Sequence, residues 1–359
     1  MKRRDFTFGL AASVVAASVA RADADALAAA RQAWTRATSG ALPAIGQTDA
    51  LLILRGSRTV FEAYGPDGGR SVRHISWSMT KSITQALVGV AVAQGRVDID
   101  QPLKVVAHAD TGLTLRRLLT LTDGLAWNEG DYSPAASDAA RMLYGPGRLD
   151  GAAFTAALAQ AHRPGTVWNY STGSFQLAAA ELQARLFATA STAQARRAAM
   201  ADWMRASLFD PLGMASAQPE FDAAGTFAGG SFVYATARDF ARFGELYRLD
   251  GRWGGRRLLP PGWVQFARTP TVEPTYGAGF WLEAPAGAKP PSLMAGAGPL
   301  DAFSAEGHDG QVILIVPSKA LVIVRLGLMD DGDPAWKALG EWITPLVNAM
   351  PDARAGPHV

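Results

Sequence analysis

Two stretches of aliphatic and β-branched residues, each broken by a short polar turn, stand near opposite ends of the chain. Residues 50–65, ALLILRGSRTVFEAYG, are two apolar runs around Gly56-Ser57, which reads as a β-hairpin. Residues 310–327, GQVILIVPSKALVIVRLG, form a second and stronger hairpin pattern around Pro317-Ser318-Lys319. Between them the periodicity is helical. Ile83, Leu87 and Val90 recur at helical spacing over residues 79–94, with Gly95 placed to end the helix. Residues 26–38 and 177–186 are alanine-rich and predict further helices, and 334–350 predicts a closing helix with Pro334 at its start. From about 113 to 250 helical patterns prevail, broken by Gly/Pro/Asn loops at 124–134, 145–151 and 163–174.

Strand signal at both ends and helix signal in the middle predict a mixed α/β (α+β) domain over residues 23–359. Its antiparallel sheet is built from N- and C-terminal strands and flanked by helices, with a mainly helical subdomain inserted at about 105–225.

Composition narrows the function. The net charge of +2 is concentrated in the first 22 residues, where Lys2, Arg3, Arg4 and Arg21 face only Asp5, so the rest offers no footprint for nucleic acid. The absence of cysteine excludes disulfides, a thiol nucleophile and thiolate metal sites. Residues 1–22 combine a basic start, an apolar run from Phe6 to Ala20 and small residues at Ala20 and Ala22, the layout of an export signal. Arg3-Arg4 before Phe6 is similar to a twin-arginine signal. The expected location is the bacterial periplasm, by the general or the twin-arginine route, without stable membrane insertion after signal removal. The run is short for a span of roughly 20 residues.

Several common sites are missing. There is no phosphate-binding G-x-x-x-x-G-K-[ST] loop, no H-E-x-x-H helix among the five histidines and no G-x-S-x-G elbow. What remains is SWSMTKSI, residues 76–83, with Ser78 and Lys81 three positions apart. Alone this is weak, since with six lysines one S-x-x-K arises by chance with odds of roughly 0.3. Its placement adds weight. Ser78 falls at a helix start, where N–H groups are unpaired and the dipole favours negative charge. Lys81 lies one turn on, in an apolar helix that would desolvate its ammonium and lower its pKa. The plainer alternative is that Ser78 only caps the helix and Lys81 is solvated.

Two further stretches carry chemistry. In GTVWNYSTGSF (165–175), Tyr170 is presented from a loop and can relay a proton near a lysine; the alternative is a tyrosine packed on Trp168. In EGHDGQ (306–311), Gly310 lets the backbone approach a ligand and the Gln311 N–H can serve as an oxyanion donor beside that of Ser78; the alternative is a plain polar turn.

The order S-x-x-K, Tyr170, His308-Asp309-Gly310 resembles the serine hydrolases of the β-lactamase-like, penicillin-binding superfamily, in particular the class C and esterase branch. GRVDIDQPL (95–103), LTLRRLLTLTDGL (113–125), LFDPLGM (208–214) and residues 229–264 are similar to its recurring blocks, so the resemblance covers roughly 45–330. SWSMTKSI with TDGLAWNEGDY (122–132) is most similar to 6-aminohexanoate-dimer hydrolases and their esterase-like relatives.

The resemblance implies Ser78 as nucleophile, Lys81 as its proton acceptor, Tyr170 as base and acid, and the N–H groups of Ser78 and Gln311 as the oxyanion hole. It implies an acyl-enzyme hydrolysed by water, with no metal or organic cofactor. Thr172 stands where the family often has asparagine, and His308-Asp309-Gly310 where true β-lactamases have Lys-Thr-Gly. Both departures weigh against penicillins. Trp127, Glu129, Asp131 and Tyr132 lie on a loop expected to overhang the cleft, where Glu129 or Asp131 would meet a substrate amine; a solvated loop is the alternative. Thr172, His308, Asp309, Gly310, Trp127 and Tyr132 are thus the expected substrate-binding residues. The expected partner is a small linear ester or amide, acted on by a monomer or homodimer. The alternatives are a DD-peptidase or β-lactamase, and a catalytically weak module that binds peptidoglycan fragments.

Overall fold

The computed structural model describes residues 24–106, 112–130, 136–330 and 332–353, so the expected export signal lies outside the described residues. Helix α1 covers 24–38. Strands β1 (Gln47–Arg55) and β2 (Arg58–Tyr64) follow as the first hairpin. Gly56 and Ser57 both take positive φ, 54° and 65°, as a two-residue type I′ turn requires. A short strand β3 (His74–Ile75) leads into α2 (Met79–Ala93). The middle of the chain carries α3 (Leu115–Leu119), α4 (Asp138–Leu143), α5 (Gly151–Ala156), α6 (Thr172–Leu186) and α7 (Ala193–Met204). A π turn, Arg205–Phe209, joins α7 to α8 (Asp210–Leu212). Then come β4 (Gln218–Pro219), β5 (Val233–Ala235), α9 (Ala237–Arg248), the small hairpin β6 (Arg252–Trp253) and β7 (Arg256–Arg257), and α10 (Trp263–Ala267). The chain closes with β8 (Trp281–Leu282), β9 (Phe303–Gly307), β10 (Gln311–Val316), β11 (Leu321–Leu328) and α11 (Asp333–Ala349).

The main sheet has the order β2-β1-β11-β10-β9-β8, with antiparallel neighbours, so its centre is the pairing of an N-terminal strand with a C-terminal one. This is the expected fold class. Side chains alternate across the pleat. Leu52, Ile313, Ile315, Val322 and Val324 enter the core shared with α2, α6 and α9. Leu51, Ile53, Val312, Leu314 and Ile323 enter a second core with α1 and α11. Both faces are covered, which is why the two hairpins read as near-continuous apolar runs rather than alternating ones.

Two local differences from the sequence reading matter for the site. α6 starts at Thr172, five residues before the alanine-rich stretch, because Ser171 caps it by accepting the Ser174 N–H at 2.9 Å. A second sheet of order β3-β5-β4 lies beside the start of α2; strands of two or three residues are too short to show a period.

Arg325 on β11 is fully buried, and among the described residues no carboxylate accepts from it. Its Nε–H reaches Thr48 Oγ1 (3.3 Å), Nη1 donates to the carbonyls of Asp309 and Gly310 (2.8 and 2.9 Å), and Nη2 to those of Ile45 and Gln47 (2.7 and 2.8 Å). All five donors are thereby used. Burial pulls its pKa down to about 10, still high enough to keep the charge near neutral pH. Arg325→Met removes all five of these donors from a buried site. It should lower the unfolding free energy in urea by about 3 kcal/mol or more, and Arg325→Lys, with three donors, by less.

Candidate active site

Ser78 is the N-cap of α2 and makes no side-chain cap bond. The residue before it, Trp77, sits at φ 46°, a left-handed conformation that costs a non-glycine residue of order 1–2 kcal/mol. Its surroundings hold it there. The Trp77 indole N–H donates to Asp309 Oδ2 (3.2 Å), and the ring lies edge-on to His308 at 5.3 Å. Ser76 is stitched to the strand segment beside it. Its N–H donates to Val233 O (2.9 Å), its Oγ accepts the Val233 N–H (3.0 Å), and it shares a 2.5 Å bond with Thr80. The turn therefore fixes Ser78 at the helix start. Among the described residues no group accepts its N–H.

Lys81, one turn on, is 1% exposed. Its Nζ lies 2.8 Å from Ser78 Oγ, 2.9 Å from Thr172 Oγ1 and 3.0 Å from the Gly230 carbonyl oxygen. The direction of each bond follows from the donors present. The Gly230 carbonyl only accepts. The Thr172 hydroxyl donates to Glu129 Oε1 (2.6 Å), so its oxygen accepts from Lys81. Glu129 is held in turn by the Thr172 N–H (2.9 Å) and the Trp127 indole N–H (2.6 Å) on Oε2. Two Lys81 hydrogens are thus committed, and the third direction faces Ser78. As an ammonium, Lys81 donates there. As a neutral amine, it aims its lone pair at the Ser78 hydroxyl. Burial pulls the Lys81 pKa down to about 8, and the Glu129 charge opposes that fall.

A cleft of about 790 Å³ opens beside this pair, lined by Ser78, Tyr170, Trp281, Glu306, Gly307 and His308. The Lys81 ammonium lies 4.8 Å from the centre of the Tyr170 ring, which stacks on Trp281 at 5.6 Å. The Asn169 side-chain amide donates to Trp127 O (2.8 Å), tying the tyrosine loop to the 124–130 loop. Gly307 ends β9 against the turn before Ser78; a Cβ there would lie 2.3 Å from Ser76 O, so only glycine allows the approach.

The fold brings Ser78, Lys81, Tyr170 and His308 together, and it corrects several neighbours. Gln311 opens β10, on the far side of β9 from the sheet edge, and its side chain is spent on β11, donating to Gly327 O at 2.5 Å. Asp309 and Gly310 curl away through positive φ, 61° and 73°. The tripeptide at the cleft is therefore Glu306-Gly307-His308, two residues earlier than the sequence suggests. Asp309 braces Trp77, and Gly310 packs on Arg325. Thr172 is buried between Lys81 and Glu129 instead of facing substrate. Trp127 is core: its ring fills the space beside Gly173, where a Cβ would lie 2.4 Å from it. Glu129 turns inward to Thr172, so it does not overhang the cleft. Asp131 and Tyr132 lie outside the described residues. Gly230, Trp281 and Glu306 were not singled out from the sequence. Only the Gly229-Gly230 pair offered a signal, in a glycine-rich stretch. Among the described residues no cluster of His, Asp or Glu could hold a metal ion.

Residues 44–328 match the profile of the Beta-lactamase family. The chain is 27% identical over 325 residues to the 6-aminohexanoate-dimer hydrolase of Paenarthrobacter ureafaciens, covering 85% of this chain and 79% of that one. Among solved structures, a Bacillus anthracis protein assigned as a 6-aminohexanoate-dimer hydrolase superposes with a TM-score of 0.66 at 20% identity, covering 84% of this chain and 79% of that one. A D-stereospecific amidohydrolase from a Streptomyces species superposes with a TM-score of 0.57 at 19% identity, covering 86% and 96%.

If Glu129 supports the Lys81 charge through Thr172, Glu129→Gln should move the Lys81 titration further down from about 8. Carbon-13 labelling of the six lysine side chains reads this by NMR. A wild-type Lys81 midpoint near the ordinary value of roughly 10.4 contradicts the burial argument.

Proposed function

The chain belongs to the Beta-lactamase family and is a hydrolase, and on that premise we propose that it cleaves a small linear ester or amide through an acyl-enzyme on Ser78. The observation that carries this reading is the 2.8 Å contact between Lys81 Nζ and Ser78 Oγ, with the other two Lys81 donors committed elsewhere. Neutral Lys81 takes the Ser78 proton as Oγ attacks the carbonyl carbon. The oxyanion receives hydrogen bonds from the Ser78 N–H and, in place of Gln311, the His308 N–H at the end of β9; a donor of this kind is worth about 10²–10³ in rate. Tyr170 relays the proton to the leaving alcohol or amine, whose bond to the carbonyl carbon breaks. Water then attacks the ester carbonyl of acyl-Ser78, giving its proton back through Tyr170 and Lys81, and the acid leaves.

The chemistry of the cleft favours this over a penicillin or a D-Ala-D-Ala peptide, whose carboxylate needs a cation, because among the described residues the only lysine in its lining, Lys337, is paired with Glu341. The 6-aminohexanoate-dimer hydrolase relative supports a linear amide with amine and carbonyl groups far apart. We place the enzyme in the periplasm after export, on the strength of residues 1–22 alone. Among the described residues no helix is long and apolar enough to cross a membrane.

A panel of short-chain nitrophenyl esters, 6-aminohexanoate oligomers, D-Ala-D-Ala peptides and a chromogenic cephalosporin tests the reading. Ser78→Ala should lose at least about 10³-fold in kcat/KM on every substrate turned over, and should gain no mass with a fluorophosphonate. Retention of wild-type ester hydrolysis by Ser78→Ala would falsify the mechanism. Since neutral Lys81 is the base, kcat/KM for a neutral ester should rise with pH through about 8. Lys81→Met should lose that rise along with most of the rate.

A further inference from the structure

The two N–H groups proposed for the oxyanion hole come from distant segments of the chain. The Ser78 N–H belongs to the peptide between Trp77 and Ser78, and the His308 N–H to the peptide between Gly307 and His308. Both must point at the place where the charge develops, at about 2.7–3.1 Å, for either to be worth much. Two contacts bring the segments together. In the first, Gly307 closes on the turn before Ser78; an added Cβ there would lie 2.3 Å from Ser76 O and 3.1 Å from Trp77 Cβ. That contact fixes a separation. It leaves open how the Trp77–Ser78 peptide is rotated.

The second contact is the Asp309 side chain. Its Oδ2 accepts the Trp77 indole N–H at 3.2 Å, and its Oδ1 lies 3.3 Å from His308 Nε2. One carboxyl group thus reaches the side chains of both residues that flank or carry the donors. Asp309 is itself anchored. Its backbone stands at φ 61°, and its carbonyl accepts from Arg325 Nη1 at 2.8 Å. The Trp77 ring is hemmed in by His308 at 5.3 Å and Phe232 at 5.8 Å, so the indole N–H keeps one direction. Trp77 holds φ 46°, a conformation that a bulky residue keeps only where its surroundings impose it. Relaxation of that angle would turn the Trp77–Ser78 peptide and carry the Ser78 N–H with it. Charge does not account for the carboxyl, since a negative group beside a forming oxyanion opposes it. What the carboxyl supplies is an acceptor at a fixed place.

We propose that Asp309 is a positioning residue for the reaction: its carboxyl clips Trp77 to His308 and so aims the two oxyanion donors at one point. Asp309 touches no substrate and acts through its two neighbours. The inference deepens the acyl-enzyme reading of Ser78 and rests on it.

Three single variants separate the parts. Trp77→Phe deletes the indole N–H and keeps a ring, Asp309→Ala deletes the acceptor, and Asp309→Asn keeps one acceptor oxygen without the charge. Each is assayed for kcat and KM on a nitrophenyl ester and for inhibition by butylboronic acid and by 1-butanol. Ser78 Oγ bonds to boron as its proton passes to Lys81, and a boron hydroxyl then takes the place of the oxyanion; 1-butanol forms no adduct. Acylation and deacylation both pass through an oxyanion, so kcat should fall with KM little changed. Trp77→Phe and Asp309→Ala should each lose about 10- to 10²-fold, the scale of loss from misplaced catalytic groups. Boronate inhibition should weaken by the same factor, and inhibition by 1-butanol should not move. The Trp77→Phe/Asp309→Ala double variant should be no slower than the worse single one, because both remove one bond. Asp309→Asn should recover most of the rate. Wild-type kcat in both Trp77→Phe and Asp309→Ala, losses that multiply in the double variant, or Asp309→Asn as slow as Asp309→Ala overturns the proposal. A clip that served stability alone would lower the urea midpoint and leave kcat and boronate inhibition at wild-type values, which also overturns it. Should Asp309→Ala fail to fold, Trp77→Phe with the boronate and butanol pair decides. Ester hydrolysis retained by Ser78→Ala removes the acyl-enzyme reading and the clip with it; an inactive Ser78→Ala beside wild-type rates in the other variants removes the clip alone.

Discussion

The amino group of Lys81 is buried in the first turn of α2, and each of its hydrogens needs an acceptor. Meeting that need arranges the cleft. One acceptor is the Ser78 hydroxyl on the same helix. Another is Thr172, which exists at that point only because α6 begins there under its Ser171 cap. The third is the Gly230 carbonyl, brought in by a glycine pair. A Cβ on Gly229 would lie 2.6 Å from Ala179, and one on Gly230 2.7 Å from Thr172. Behind Thr172 the Glu129 carboxylate sets the sense of the hydrogen bonds, so the lone pair of the neutral amine has one direction left. Two helices and two loops from distant parts of the chain thus serve one nitrogen atom.

The parts of this arrangement that repeat locally could be read from the sequence. Ser78 and Lys81 share a helix face by spacing alone, and the hairpins of 50–65 and 310–327 announced the sheet. The rest depends on where side chains turn. Thr172 was legible as a residue of interest, but its partner Glu129 is 43 positions away, and no periodicity links a loop carboxylate to a helix start. The tripeptide at the cleft was displaced by two because Asp309 and Gly310 both reverse the backbone; a single sequence does not mark an aspartate as left-handed. Glu306 escaped notice for a related reason. Its side belongs to the strand's pleat, and which face of β9 borders a cavity is decided by the brevity of β8.

On the proposed function, chemistry and selectivity fall to different kinds of structure. Ser78, Lys81 and Thr172 sit on helices, and Gly307 on a strand locked to the Ser76 turn, so the reacting geometry is held by packed elements. The cleft is roofed by a loop that Glu283 ties at three points, and floored by α11. Under that reading, changes in the loop would alter what is admitted without touching the proposed proton path, a division that suits a fold shared by amidases and esterases.

The sheet centre pairs β1 with β11, and Arg325 binds the carbonyls of residues 45 and 47 to those of 309 and 310. During synthesis, then, the first strands wait for the last. β1 has no partner on its β11 side until some 270 further residues have emerged, and contacts of such long sequence separation form slowly. The Trp77 bend that presents Ser78 depends on Asp309, from the same late segment. A chain cut short before Asp309 therefore lacks the hydrogen bond that braces Trp77. On the proposed mechanism, the nucleophile is armed last, when the chain is long enough to close its own sheet.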